Sequence, residues 1–183
     1  MKMLKKLLAV VLTGAMALTL LTACGGNAVT DKDIADALTD MAKAKAKAQA
    51  QDTNVTYIPQ AKERELARKA AALFDGKAAN DIDIDEAMNQ VKEILGCNPG
   101  GANADKFVWF GAIPVDKLGT SGQAVQFIEQ LKDDSDQNLN KDKLTGKKSA
   151  DEHYMGTALY KTLDNGKLVT GRIIVVTAAV DNK

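Results

Sequence analysis

A single histidine, His153, carries all the imidazole chemistry open to this chain, and aromatic residues fill only 4% of its 183 positions. Neither sign of charge is in surplus, with 24 Lys and Arg against 24 Asp and Glu. Nucleic-acid binders need a basic excess to replace counterions on phosphate, so the balance argues against that class. The one long apolar run, Leu7 to Leu21, has 15 residues and falls short of the roughly 20 of a comfortable membrane span. Gly100-Gly101 and Gly119-Thr120-Ser121-Gly122 lead into no Gly-Lys-Ser/Thr, so neither is a phosphate loop. No internal repeat is present. What remains is 45% hydrophobic and 26% charged, the composition of one ordinary globular domain rather than of a chain disordered throughout.

The first two dozen residues read as an address. Met1 to Lys6 holds three lysines and no acid, the apolar run follows, and Leu21-Thr22-Ala23-Cys24 then precedes Gly25-Gly26. The order is that of a secretory signal, and its end resembles the lipobox of bacterial lipoproteins. That resemblance implies a diacylglycerol thioether on Cys24 and cleavage before it. Residues 1–23 would be a signal peptide, 24–30 a flexible tether and 31–183 a single domain, held at the extracytoplasmic face of the cell membrane. Two acyl chains hold a protein stably where one does so marginally. A plain signal peptide cut at Ala23 and an uncleaved anchor are the alternatives. Cleavage removes three lysines, leaving 160 residues with 21 basic and 24 acidic side chains, a net charge of −3. Such a domain has no electrostatic reason to seek nucleic acid. With Cys24 acylated, Cys97 has no disulfide partner and reads as a small core or turn residue.

Beyond the tether the pattern is α/β. Asp31 opens a helix with Ile34, Ala37, Leu38 and Met41 on one face, continuing through the Ala-Lys alternation of residues 42–48 as a solvated helix. Residues 54–59 break it. Gln60 to Asp75 is a second helix, with Leu66, Ala70, Leu73 and Phe74 as its stripe and Gly76 as its stop. Residues 78–82 form a linker. Asp83 and Glu86 have capping-pair spacing ahead of a third helix bearing Ala87, Met88, Val91, Ile94 and Leu95. Asn98-Pro99-Gly100-Gly101 is a turn, and Phe107 to Ile113 a strand. Thr120 or Ser121 caps a fourth helix, and residues 133–150 are polar and irregular. Asp164-Asn165-Gly166 joins two strand-like runs, the strongest hairpin cue in the chain. Ile173 to Val176 is apolar without a break, which predicts cover on both faces. The expected fold is a small, mainly antiparallel sheet of three or more strands with about four helices, ending in a β-hairpin.

The C-terminal half resembles the CAP superfamily (cysteine-rich secretory, antigen 5 and pathogenesis-related proteins). Tyr154-Met155-Gly156, the Asn165-Gly166 turn and Ile173 to Val176 match its closing hairpin. Thr120-Ser121, Ala124-Val125 and Asn138-Leu139 match its preceding helix and loop, and the Leu66 to Phe74 helix its early helix. The resemblance covers roughly residues 55–180 and implies an α-β-α sandwich. The family's cleft, where intact, has two histidines and two acids. Here Asp134-Ser135-Asp136-Gln137 stands where one histidine would be, and Val108-Trp109-Phe110-Gly111 lacks the acidic residue of the corresponding strand. A zinc-like ion needs about three protein ligands, so neither a metal nor another cofactor is expected.

Glu152-His153-Tyr154 echoes the start of the family's C-terminal signature, and with Trp109 these residues form the candidate cleft. His153 could act as a general base, yet strand neighbours point to opposite faces, which leaves Glu152 badly placed to orient it. The plain expectation is a partly exposed histidine at a strand edge. Ser121, Ser135 and Ser149 lie in loops or caps without a supporting motif. Trp109, Phe107 and Phe110 read as core, with a carbohydrate or peptide platform as the alternative. Residues 81–86 imitate a calcium loop but lack its sixth-position glycine and its closing glutamate. No catalytic residue is assigned. The expected role is non-catalytic binding of an unknown protein, peptide or small molecule. The alternatives are a hydrolytic or lipid-handling enzyme centred on His153 and a small solute-binding lipoprotein.

Overall fold

The computed structural model describes residues 29–50, 54–115, 118–131 and 138–181. The signal segment and Cys24 lie outside them, as do residues 132–137 of the polar loop. Helix α1 (Asp31–Ala48) leads to strand β1 (Thr56–Pro59), α2 (Ala61–Ala71), a 3-10 turn (Ala79–Asp81) and α3 (Ile84–Ile94). Then come β2 (Phe107–Pro114), α4 (Thr120–Gln130), β3 (Ser149–Asp164) and β4 (Lys167–Val180). The result is a small α+β domain. Its four strands lie in the order β1-β3-β4-β2, with β1 parallel to β3 and the other two junctions antiparallel.

The central hairpin follows from its turn. Asn165 and Gly166 both take positive φ, 48° and 75°, as a two-residue hairpin turn requires. The β4 run then alternates strictly between two cores. Ile174, Val176 and Ala178 join Ile34, Leu38, Trp109, Ala124 and Phe127 on the side of α1 and α4. Ile173 and Val175 join Ala67, Ala70, Val91, Leu95, Val108 and Phe110 on the side of α2 and α3. Burial on both faces is why this strand needs no polar alternation.

The sheet edge at β2 is closed by side chains. Gln130 Oε1 accepts from the Ala112 N–H at 2.8 Å, and its Nε2 donates to the Ala112 carbonyl at 2.9 Å. Asn138 Oδ1 accepts from the Val108 N–H at 3.0 Å. These bonds occupy backbone groups that an open edge would offer to another chain.

Several local expectations are revised. Residues 54–59 do follow the end of the first helix, and they also contain β1, whose Tyr57 N–H donates to Thr39 Oγ1 at 2.9 Å. The second helix stops at Ala71, and Gly76, at φ 73°, ends the turn that follows. At α4 the N-cap is Gly119, and neither Thr120 nor Ser121 makes a capping bond. Asp83 does cap α3, accepting from the N–H groups of Asp85 and Glu86.

Gly171 exists for close approach. A Cβ on Gly171 would lie 2.3 Å from the ring of Tyr160, its partner across the hairpin, which lies over it. Burial in the core on the α2 and α3 side pushes the Tyr160 phenol up to about 12. The unfolded chain releases this proton near pH ~10, so the stabilisation is complete below that pH and is lost as pH rises through about 12. Ultraviolet titration of the folded protein is expected to show a tyrosine that ionises only with alkaline unfolding. Replacing Tyr160 by Phe should remove that step.

Candidate functional site

The sheet divides the four candidate cleft residues into two pairs. His153 and Trp109 meet on the α1 and α4 side, their rings stacked with centroids 5.0 Å apart. Tyr57, opposite His153 in the β1–β3 register, closes the other side edge-on at 5.3 Å. Glu152 and Tyr154 point the other way, as strand alternation demands. There the Tyr154 hydroxyl donates to Glu152 Oε2 at 2.6 Å, and that carboxylate raises the Tyr154 pKa. Glu152 therefore does not orient His153.

His153 itself differs from expectation. It is 3% exposed and sits on an inner strand, not partly exposed at an edge. Ser149 is also on β3 rather than in a loop. The register between Ser149 and His153 slips against β4, and that irregularity brings Ser149 Oγ to 3.2 Å from His153 Nε2. Trp109 is 3% exposed and Phe107 and Phe110 are buried on opposite faces, which places all three in the core.

Cys97 is buried as a free thiol. Loss of hydration pushes it up to about 11, against the smaller opposing pull of Lys92 and Lys143. A thiol in that state is a poor nucleophile at neutral pH.

The most elaborate polar arrangement escaped the sequence reading. Asp31, the first residue of α1, accepts from Thr157 Oγ1 on β3 through Oδ1 and from Arg64 Nε through Oδ2 at 2.6 Å. Arg172 of β4 donates from Nη1 to Thr157 Oγ1 at 2.8 Å and from Nη2 to the Val29 carbonyl at 3.0 Å. Asp31, Thr157 and Arg172 are 8%, 5% and 7% exposed. Burial lowers the Arg172 pKa and the Asp31 charge works against that shift. The one local signal was an arginine interrupting the run Leu168 to Val176. Across the sheet, Glu63 is also buried, with Oε1 accepting from Thr177 Oγ1 at 2.9 Å and Oε2 unpartnered.

Among the described residues no group of three or more His, Cys, Asp or Glu is placed to hold a metal ion, and no helix is long and apolar enough to cross a membrane. Comparison with known proteins gives no match to a family model, a curated protein or a solved structure.

Proposed function

We propose that the chain is a bacterial lipoprotein, anchored at the extracytoplasmic face of the membrane through Cys24, whose CAP-like domain binds a partner without catalysis. The observation that carries the reading is the lipobox Leu21-Thr22-Ala23-Cys24 at the end of a charged and then apolar leader. A folded domain starting with the Thr30 capping box of α1 a few residues later supports it. Helices on both faces of the sheet and a closing hairpin support the CAP-like part. Mass spectrometry of the protein from bacterial membranes is expected to find residues 1–23 removed and Cys24 carrying diacylglycerol. Cys24→Ala should keep the leader and lose the lipid. A bare Cys24 thiol with the leader attached would overturn the anchor.

One observation favours a second reading, a hydrolase built on His153. The Ser149 Oγ to His153 Nε2 contact of 3.2 Å is within the reach expected of a nucleophile and its base. Burial of the imidazole between Trp109 and Tyr57 weighs against it. Serine-reactive phosphonate probes decide: no labelling is expected, whereas labelling abolished by Ser149→Ala would install the hydrolase instead.

A further inference from the structure

The β3–β4 hairpin runs on beyond both edge strands, since its ladder with β1 ends at Met155 and that with β2 at Gly171. On the face that carries α1 and α4, Leu159, Lys161 and Leu163 stand opposite Arg172, Thr170 and Leu168. The three leucines are 55%, 40% and 60% exposed, and among the described residues Val125 is the one other large apolar side chain so exposed. Among the described residues of the two strands, no acid lies on this face of the extension. An exposed Leu163–Leu168 pair, with Leu159 beyond the Lys161–Thr170 pair on the same face, marks a contact surface.

What covers it follows from where the chain enters the fold. Arg172 holds the Val29 carbonyl at the inner end of the leucine strip. Cys24 lies five residues before Val29, a distance of at most about 18 Å when fully extended. From Arg172 to Leu168 the strand advances about 13 Å. An anchor at Cys24 therefore places the bilayer within reach of the tip. We propose that Leu159, Leu163 and Leu168 rest in the interfacial layer of the membrane that holds the lipid, fixing one orientation of the domain with α2 and α3 turned outward. The inference rests on the anchor reading. The hairpin orients while the acyl chains retain.

The test uses the full chain, processed in bacteria and reconstituted into phosphatidylcholine vesicles containing lipid-borne nitroxide quenchers. A fluorophore is attached at Leu168→Cys or, as control, at Lys69→Cys on the exposed side of α2. The buried Cys97 and the acylated Cys24 do not compete for it. Quenching at position 168 is expected to exceed that at 69 severalfold, and to fall to the control level when Leu159 and Leu163 are both changed to Ser. Equal quenching at the two positions, with Cys24 shown acylated by mass spectrometry of the same sample, overturns the hairpin contact and leaves the anchor standing. Self-quenching at 168 that vanishes on dilution into excess lipid assigns the patch to a second copy and also overturns it. An unacylated Cys24 removes both.

Discussion

Gly156→Ala is expected to be among the most damaging single-atom additions to this protein. A Cβ at Gly156 would stand 2.0 Å from the Arg64 nitrogen, 2.3 Å from its Cα and 2.4 Å from the Glu63 carbonyl carbon. All three are backbone atoms of α2, so no side chain can swing aside, and the helix must lift from β3. Overpacking costs roughly 1–3 kcal/mol even where the surroundings adjust; against a helix backbone about 3 kcal/mol or more is expected. At this chain length that lowers Tm by roughly 2–4 °C for each kcal/mol. Gly122→Ala is the control. Its nearest neighbour is the flexible Leu118 side chain at 3.3 Å, and the gain of up to about 1 kcal/mol in helix propensity offsets that contact. Calorimetry should separate the two variants clearly. Equal Tm values would mean that α2 does not lie on Gly156.

Arg172→Leu should cost about as much, for an electrostatic reason. The guanidinium ties together β3, the start of α1 and the Val29 carbonyl. Removing one member of a buried charged network costs about 3–5 kcal/mol, largely because the partners left behind are desolvated and unpaired. Arg64 keeps its contact with Asp31, and being 44% exposed it can compensate only in part. The diagnostic is non-additivity. Asp31→Asn alone should destabilise, and the double variant with Arg172→Leu should lose less than the sum of the two single changes, because each removes the other's reason for being there. Denaturant unfolding of the three variants measures this. Strict additivity would mean that the network acts as independent contacts.

The two features differ in how far they were legible in the sequence. The hairpin announced itself, because Asn165-Gly166 is a local requirement and Ile173 to Val176 is a local pattern. The stripes of α2 and α3 were legible for the same reason. Strand β1 was not: it has four residues with only Tyr57 buried, and it exists because β3 offers it an edge. The cap of α4 was misplaced because Thr120 and Ser121 are good capping residues that lie inside the helix. His153 looks partly exposed in sequence because its cover comes from Tyr57 and Trp109, far away along the chain. The Asp31, Arg64, Thr157 and Arg172 network joins four elements, so no window of the sequence contains it.

The order of the strands bears on when this protein can fold. The two inner strands of the sheet, β3 and β4, come after every other described element, and helices α1 to α4 lie against a core that these strands complete. Until those residues emerge from the ribosome, α1 to α4 have no platform, and isolated helices of 11 residues are marginal in water. A nascent chain of this design stays loose until both inner strands have been synthesised.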